Sequence, residues 1–416
     1  MEKIKVGVFG AGRGAYLAKS FMLLNCEIVA LCDFHPERRE AARTALGLSE
    51  AASYDDFDAF INHGMDAMIV ANSFNEHAKY VLKCFERGIH VFCECIVNGT
   101  MAEGVQLAVA AEKTSSIFFL AENYPQMKFN LEMQRVVKSG TLGKIIYAEG
   151  EYNHPVADDD VAFKKEYVFY ENHWRNYCPR TYYITHSLGP VMRATGATPV
   201  TVSALEAFAP PAEENPSASY AGDRAAIITT MNNDGSIFRV TGCAAFGGHH
   251  NAYRICGTEG QIENLRGMGE KVMLRYNHWS KPEGKEEYNL YEPEWNDKDE
   301  EMIKKSGHGG GDFITVRMFV DCIKNGVQPE HPFDLHSAIA MSSVAILGHR
   351  SALAGGKPFA IPDFRKEEDR KLYENDDLSP MYREDGTAPT MPCCSHPDYA
   401  PTEEQKQKFR DLLGIK

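Results

Sequence analysis

A phosphate-binding pattern follows the first apolar run of the chain. Ile4–Phe9 leads into Gly10-Ala11-Gly12-Arg13-Gly14-Ala15, and Asp33 closes the next apolar run, Glu27–Cys32. The first glycine permits a tight turn, the second lets the backbone approach a pyrophosphate, and the small Ala15 lets the following helix pack close to its strand. A carboxylate after the second strand accepts hydrogen bonds from ribose hydroxyls and repels a 2′-phosphate. The pattern predicts an NAD site at Gly10, Gly12, Arg13, Gly14 and Asp33.

Two observations leave open other interpretations of this motif, namely an NADP site or no dinucleotide site. Arg38 lies close enough in sequence to accommodate the 2′-phosphate of NADP. A glycine-rich turn also occurs in doubly wound proteins that bind no dinucleotide. The position of this turn between a strand and a helix, with an acid closing the next strand, favours the cofactor site.

Strand and helix patterns alternate through the first third of the chain. Strands are predicted at Ala67–Val70, His90–Cys93 and Ile117–Ala121, and helices lie between them. Such alternation indicates a parallel sheet covered on both faces, with ligands bound at the carboxyl ends of its strands. We therefore predict a Rossmann NAD-binding domain over residues 1–122. Its further cofactor-binding residues are Asn72, Phe74, His77, Glu94 and Asn123.

Long strand-like runs with hairpin turns replace this alternation after a helical stretch at Gln126–Ser139. One such turn is Asn232-Asn233-Asp234-Gly235, a typical β-hairpin connection. The pattern predicts an α+β domain over residues 123–365, built on a large, mostly antiparallel open sheet. Residues 366–416 are charged and contain prolines. We predict that they form an arm that packs on the body or on a neighbouring subunit.

Length, charge and hydropathy limit the number of domains, the classes of partner and the cellular compartment that we expect. The 416 residues exceed the usual size of one core, so two domains are expected. A net charge of −14 disfavours nucleic acid and anionic membranes as partners. The chain enters its first strand without a basic and apolar leader, and it has no apolar stretch of membrane-spanning length, so we expect a cytoplasmic protein.

The eleven cysteines lie mostly in apolar runs, where they act as small hydrophobic residues, and we expect them to be reduced. Cys393-Cys394-Ser395-His396 lacks a second group of ligands at a suitable spacing. We interpret it as part of a surface tail and expect no metal site.

The order of these motifs resembles the Gfo/Idh/MocA family of NAD(P)-dependent sugar oxidoreductases over about residues 1–365. The resemblance is carried by Asn72 to His77, His90 to Glu94, Glu122-Asn123-Tyr124 and Gly140 to Ile145. It implies a small sugar or glycoside substrate and a homo-oligomer, a dimer or tetramer that pairs through the open sheet.

Two departures from that family pattern bear on the chemistry. The usual Glu-Lys-Pro reads Glu94-Cys95-Ile96, and the usual Asp-x-x-x-His reads Tyr182-Tyr183-Ile184-Thr185-His186. A simple dehydrogenase without that lysine and aspartate lacks groups that position and deprotonate its alcohol. The chain is therefore expected either to be inactive or to catalyse a different reaction.

A branch of the family, the NAD-dependent α-N-acetylgalactosaminidases, also lacks the lysine. Its signature segments are similar to Tyr183–Pro190 and His308–Phe313, and the sulfoquinovosidases are a sister group. The resemblance implies a glycosidase that oxidises C3 of the sugar, eliminates the aglycone, adds water and re-reduces C3. No carboxylate pair of an ordinary glycosidase stands out.

The resemblance implies that His186 is the general base for the C3 hydroxyl and that Tyr183, as a phenolate, removes the C2 proton. Tyr183 as a core aromatic and His186 as a structural histidine are the competing interpretations. The predicted substrate contacts are Tyr124, His154, Trp174, Arg175, Arg180, His308 and Asp312.

The charged members of that set have competing interpretations too. If Arg175 or Arg180 binds the substrate, the substrate is an acidic glycoside; otherwise both arginines pair with Glu166 and Glu171 at the surface. The His308 to Asp312 segment is either a ligand contact or a flexible linker.

Two other functions remain open for the whole chain. The first is an NAD-dependent sugar dehydrogenase or keto-glycoside reductase with net hydride transfer. The second is an NAD-binding protein without activity.

Overall fold

The computed structural model describes residues 3–168, 170–215, 217–294 and 297–414. The first domain is a six-stranded parallel sheet with helices on both faces. Its elements are β1 (Lys5–Phe9), α1 (Arg13–Leu23), β2 (Glu27–Cys32), α2 (Pro36–Leu46), β3 (Ser53–Tyr54), α3 (Phe57–Phe60), β4 (Ala67–Val70), α4 (His77–Glu86), β5 (His90–Cys93), α5 (Met101–Ala111) and β6 (Phe118–Leu120).

The strand order β3-β2-β1-β4-β5-β6 places the start of the chain at the centre of the sheet. Strands β1 and β4 are apolar and almost wholly buried, as expected for parallel strands covered on both faces. The strand order changes direction between β1 and β4. The connections that follow these two strands therefore lead to opposite sides, and a crevice opens between them at the carboxyl ends of the strands. The residues after β1, β2, β4 and β5 therefore share one edge of the sheet.

In the described residues the second domain is built on a nine-stranded sheet, in which β7 and β10 pair in parallel and the other neighbouring strands pair antiparallel. The strand order is β14-β13-β12-β11-β7-β10-β9-β8-β15. The strands are β7 (Ile145–Asn153), β8 (Pro199–Phe208), β9 (Asp223–Asn232), β10 (Ile237–Thr241), β11 (His250–Gly257), β12 (Gly260–Asn264), β13 (Val272–Tyr276), β14 (Tyr288–Tyr291) and β15 (Phe359–Ala360). This confirms the predicted fold class.

The helices after β6 either pack on this sheet or lie between it and the first domain. They are α6 (Lys128–Lys138), α7 (Val161–Tyr167), α8 (Trp174–Tyr177), α9 (Thr185–Thr195), α10 (Glu300–Lys305), α11 (Gly311–Asn325) and α12 (Leu335–Leu353). Gly150 on β7 lets α9 lie directly on the sheet, since a Cβ atom there would be 2.0 Å from the Ser187 carbonyl oxygen.

Helix α11 packs on the first domain although it follows the second sheet in sequence. Phe319 contacts Phe21 of α1 and Phe92 of β5, with ring centroids 6.0 and 5.3 Å apart. All three side chains are buried. The N-terminus of α11 is thereby brought to the edge of the cofactor crevice.

The C-terminal arm packs along its own chain and contacts both domains. It contains α13 (Glu367–Tyr373) and α14 (Glu403–Leu413). Arg383 forms an ion pair with Glu103 at 2.6 Å, and the Ser395 amide donates to Asp223 at 2.7 Å. Cys394 is 2% exposed. The prediction of a surface tail was wrong for this residue, because the arm packs against β9.

The cysteines and the helices bear on two further expectations. All eleven cysteines are free thiols. Across the part of the chain that the structure describes, none of the helices combines the length and apolarity that crossing a membrane requires.

Candidate active site

A cavity of about 1850 Å³ runs from the glycine-rich turn after β1 to His186 on α9. This exceeds the usual volume of a site for one small ligand, so it offers room for a dinucleotide and a second molecule. Most residues predicted from sequence line it: Gly10, Gly12, Arg13, Asp33, Asn72, Phe74, His77, Glu94, Asn123, His154, Trp174, Arg175, Arg180, Tyr183, His186 and His308. Gly14, Tyr124 and Asp312 lie behind its surface.

The glycine-rich turn has the geometry of a phosphate cradle. Gly10 has a φ of +100°, and a Cβ atom there would be 2.2 Å from the Ala71 carbonyl oxygen. Helix α1 begins at Arg13, so its unpaired N–H groups face the cavity, where an anion is stabilised. Gly14 instead faces β1, with its Cβ position 3.0 Å from Val8 Cγ1. Its role is helix packing rather than ligand contact.

Asp33 stabilises this turn as well as facing the cavity. One carboxylate oxygen accepts from the Ala11 amide at 2.6 Å, and the other accepts from the His35 amide at 2.8 Å. The acid is therefore held at the end of β2 beside the cradle. This is the position from which a carboxylate reaches the adenosine ribose in dinucleotide-binding folds.

Asp312 is the centre of a network that joins three elements. It accepts from Arg13 at 2.5 Å and from Asn123 at 2.7 Å, and His308 Nδ1 lies 2.8 Å away. Arg13 also donates to Glu94 at 2.8 Å. Burial alone would raise the pKa of Asp312, but the hydrogen bonds and charges of His308 and Arg13 hold it well below its usual range.

The side chain of Asp312 is only 1% exposed, so the prediction that it contacts the substrate was wrong. Its position is decided by pairing, because a buried carboxylate requires cationic or hydrogen-bonding partners. It holds Arg13, Asn123 and His308 in place at the cavity wall. The segment before it is not a flexible linker, since a Cβ atom on Gly311 would be 2.6 Å from the Asn123 carbonyl oxygen.

His186 is oriented by a buried carboxylate that sequence reasoning did not assign. Its Nδ1 lies 2.9 Å from both carboxylate oxygens of Glu122, whose side chain is fully buried. Burial acts to raise the pKa of Glu122, but the charge and hydrogen bond of His186 bring it below the usual value. An ionised Glu122 can only accept, so in the neutral imidazole the proton lies on Nδ1 and Nε2 is the free acceptor.

The family pattern places an aspartate four residues before the histidine, but the carboxylate beside His186 in this structure is Glu122. Tyr182, at that sequence position, is fully buried in the core instead. A signal for Glu122 did exist, because it follows the apolar strand β6 at the edge of the sheet where ligands bind. Only the fold shows that α9 brings His186 to it.

A proline in α9 contributes to the placement of His186. Pro190 has no N–H, so the His186 carbonyl oxygen loses its helical partner. The Tyr253 hydroxyl of β11 donates to that oxygen at 2.5 Å. The first turn of α9 is thereby fixed to the sheet beneath it.

Three tyrosines surround the His186 ring. Tyr124 stacks on it with centroids 4.0 Å apart, and Tyr152 and Tyr183 meet it edge-on at 4.8 and 5.3 Å. Tyr124 was predicted to contact the substrate, but it lies behind the imidazole and supports it. Burial raises the pKa of Tyr183 well above its usual range, while the Arg175 charge acts in the opposite direction. Without a ligand, Tyr183 is therefore a neutral phenol.

A stack of aromatic rings joins the cofactor loop to this end of the cavity. Phe74, which follows β4, stacks on Trp174 at 4.7 Å and on Tyr183 at 5.5 Å. His154 contacts Tyr152 edge-on at 5.8 Å. His77 is 1% exposed, with Nδ1 2.7 Å from the Ile96 carbonyl oxygen, so it fixes the neighbouring loop.

Cys95 occupies the sequence position of the usual family lysine. Its thiol lies 3.4 Å from Glu122 Oε2, and burial raises its pKa well above the usual value. A neutral thiol therefore replaces a cation beside the Glu122 carboxylate. His186 remains the cationic partner of that carboxylate when it takes up a proton.

The C-terminal arm forms part of the cavity wall, which sequence reasoning did not predict. Tyr382 to Gly386 line it. Glu384 accepts from the Tyr80 hydroxyl at 2.6 Å and from Asn72 at 3.3 Å. The arm thus closes the cavity beside the loop that follows β4.

Comparisons with known proteins match both domains. Residues 4–122 match an oxidoreductase family with an NAD-binding Rossmann fold, and residues 127–370 match the C-terminal domain of glycosyl hydrolase 109. A glycosyl hydrolase family 109 protein of Streptomyces niveus is 25% identical over 88% of this chain and 78% of its own. One of Porphyromonas gingivalis is 24% identical over 88% and 85%.

Solved structures share the fold at lower identity. Levoglucosan dehydrogenase in complex with NADH and levoglucosan has a TM-score of 0.72 at 16% identity, covering 87% of this chain and 100% of that one. An aldose-aldose oxidoreductase from Caulobacter crescentus has a TM-score of 0.67 at 17% identity, covering 86% and 100%.

These matches confirm the resemblance and the NAD cofactor that the sequence predicted. The C-terminal domain match alone spans more than half of the chain. The protein is an enzyme that combines an NAD-binding Rossmann domain with this second domain, and it belongs to the glycosyl hydrolase 109 family.

Proposed function

We propose that the protein is an NAD-dependent glycoside hydrolase whose turnover involves no net oxidation. The reaction consists of transient oxidation at C3 of the sugar, elimination of the aglycone, addition of water and re-reduction at C3. The observation that carries the proposal is the pairing of His186 with buried Glu122 beside Tyr183. Two proton-transfer groups thereby face one cavity that begins at a dinucleotide cradle.

The residues of the first domain fit NAD⁺. The backbone amides of Gly12 and Arg13 suit the pyrophosphate, Asp33 suits the adenosine ribose, and Glu94 and Asn123 lie further along the same edge of the sheet. When bound, NAD⁺ supplies a reversible hydride acceptor for C3 of the sugar. The protein supplies orientation and proton transfer.

His186 acts on the C3 hydroxyl. Its Nε2 is the free acceptor, because Nδ1 carries the proton shared with Glu122. As Nε2 takes the hydroxyl proton, Glu122 stabilises the imidazolium. Water cannot replace this carboxylate, because its side chain is fully buried. On re-reduction His186 returns the proton to the C3 oxygen.

Tyr183 acts on the neighbouring carbon. A C3 ketone makes the C2 proton acidic, and the loss of that proton expels the aglycone from C1. Burial disfavours the phenolate of Tyr183, but the Arg175 charge favours it. The Arg175 charge therefore raises the population of the phenolate that this step requires. After water has added at C1, Tyr183 returns a proton to C2.

The proposal is tested with NAD⁺-loaded protein and a panel of 4-nitrophenyl glycosides, including acidic ones. Nitrophenol release and NADH absorbance are recorded in the same cuvette. We expect nitrophenol without accumulating NADH. Accumulating NADH without nitrophenol would identify a sugar dehydrogenase instead.

A second readout tests the C2 step directly. Turnover in D₂O is expected to place deuterium at C2 of the released sugar, detected by NMR. Tyr183→Phe should lower both nitrophenol release and deuterium incorporation, while a transient NADH signal remains in the first turnover. Release of nitrophenol without deuterium at C2 would refute the elimination step.

A further inference from the structure

Two arginines line the same end of the cavity as Tyr183 without a carboxylate partner. The guanidinium carbon of Arg175 lies 4.3 Å from the Trp174 ring centroid. Arg180 donates to the carbonyl oxygens of Asp223 and Cys243 at 2.8 and 3.2 Å. Within the described ranges, no carboxylate oxygen lies within 4.0 Å of a nitrogen of either guanidinium.

The nearby acids are engaged elsewhere. Glu171, which the sequence offered as a partner, forms an ion pair with Arg410 at 3.0 Å. Asp158, which lines the cavity, pairs with Arg224 at 2.6 Å. The surface pairing expected for the two arginines is therefore not formed. Among the described residues, neither guanidinium therefore has a carboxylate in ion-pair contact, although the net charge of the chain is −14.

Aromatic rings hold Arg175 in place. Besides Trp174, the rings of Tyr167 and Phe163 lie 5.7 and 5.9 Å from its guanidinium carbon. Rings on several sides reduce access of water to the cation and limit its conformations. A cation shielded in this way interacts strongly with an anion that enters the site.

These charges act on side chains at the Tyr183 end of the cavity, and Arg175 also acts, with Arg38, on His173. Arg175 acts electrostatically on Tyr183 and His154, and both arginines act on Cys243 of the second domain. The phosphate cradle lies at the other end, at Gly10 and α1.

We propose that Arg175 and Arg180 bind an anionic group of the substrate, so that the enzyme hydrolyses acidic glycosides. A guanidinium binds carboxylate, sulfonate or phosphate through paired N–H donors. The anionic group belongs either to the sugar or to the aglycone, and both sources share this chemistry. The assignment of this ligand as substrate rests on the proposed function, whereas the anion site itself does not.

The test is calorimetric titration of the NAD⁺-loaded protein with matched ligands. Methyl uronides, 6-sulfonates and 6-phosphates of glucose and galactose are compared with the neutral methyl glycosides, as both anomers. Neutral sugars with a 4-carboxyphenyl aglycone place the charge on the other side of the glycosidic bond. We expect at least one acidic ligand to bind about tenfold or more tightly than its neutral counterpart.

Variants assign that preference to the arginines. Arg175→Gln should lose about tenfold or more in affinity for the acidic ligand and little for the neutral one. Arg175→Lys should retain part of the preference, because it keeps the charge without the fork of donors. Arg275→Gln is the control, since Arg275 pairs with Glu287 at 3.3 Å and lies outside the cavity.

The cofactor content of each variant is measured in parallel by releasing and quantifying NAD⁺. Loss of NAD⁺ from Arg175→Gln would overturn the inference, because the arginine would then serve the cofactor. Equal affinity for acidic and neutral ligands, or no binding of any acidic ligand, would overturn it too. Tight binding of an acidic glycoside without nitrophenol release would support the anion site and refute the proposed hydrolysis. Hydrolysis of neutral glycosides alone would support the proposed hydrolysis and refute the anion site.

Discussion

Replacing Glu122 by glutamine should change which nitrogen of His186 carries the proton. In the native site both carboxylate oxygens lie 2.9 Å from Nδ1. The Tyr124 amide donates to Oε1 at 3.1 Å, so a glutamine would keep its carbonyl oxygen there. Its NH₂ group would then face Nδ1. An NH₂ group at the Oε2 position, 2.9 Å from Nδ1, opposes a proton on Nδ1 and so favours the Nε2 tautomer, and the neutral amide removes the negative charge that stabilises the imidazolium.

The size of the effect follows from the burial of this pair. The Glu122 side chain is fully buried and that of His186 is 12% exposed, so solvent cannot restore the lost interaction. A positioned general base contributes roughly 10² to 10⁴ in rate, which corresponds to about 3 to 5 kcal/mol. We expect Glu122→Gln to lower kcat/KM by that factor. Substrate binding should change little, because Glu122 lies behind His186.

The assay is nitrophenol release and single-turnover NADH formation with NAD⁺-loaded protein. Glu206→Gln is the control, because Glu206 and His349 form another carboxylate–imidazole pair, 3.3 Å apart, that is fully buried and does not line the cavity. That variant should lose stability but keep its activity. Native kcat/KM in Glu122→Gln, together with an inactive His186→Ala, would refute the argument that the carboxylate sets the tautomer.

Three further expectations concern the cradle, the network and the arm. Gly10→Ala should destabilise the fold by about 1 to 3 kcal/mol and abolish NAD⁺ binding, because Gly10 has a positive φ and the added Cβ atom would clash with the Ala71 carbonyl group. A native melting temperature together with a native NAD⁺ content would contradict this. Asp312 has a folded pKa below its ordinary 3.8, so its stabilisation is present above that value and is lost as pH falls below it. Asp312→Asn should therefore have a lower free energy of unfolding in urea at neutral pH and a shallower loss on acidification, and an unchanged acid limb would contradict the pairing. Arg383→Ala removes the 2.6 Å ion pair with Glu103 that fixes the arm. The rate of NADH release, measured by stopped-flow fluorescence, should rise on the order of tenfold. An unchanged rate would show that the arm does not help to retain the cofactor.

The first domain could be predicted from sequence because its signals are local. A glycine with positive φ, a fully buried strand and an acid at a strand end each leave a pattern within a few residues, as at Gly10, β4 and Asp33. The order of helices and strands then fixes a parallel sheet with its ligands at one edge. The second sheet follows in the same way from hairpin turns and alternating strands.

Only the tertiary structure decided how the charges of the site are paired. Glu122 and His186 are separated by 64 residues, and Arg13 and Asp312 by 299. Sequence spacing carries no information about such pairs. A buried carboxylate selects its partner by distance and desolvation, which depend on how α9 and α11 pack.

The same reasoning explains the assignments that changed. Asp312 and Tyr124 occur in motifs that suggest ligand contact, but packing places them behind Arg13 and His186. The arm carries no binding motif, yet Glu384 lies in the cavity wall. The sequence by itself determined the two folds, the cofactor cradle and the residue types available for chemistry. The tertiary structure decided which of those groups meet, because burial and long-range packing, rather than local pattern, set their contacts.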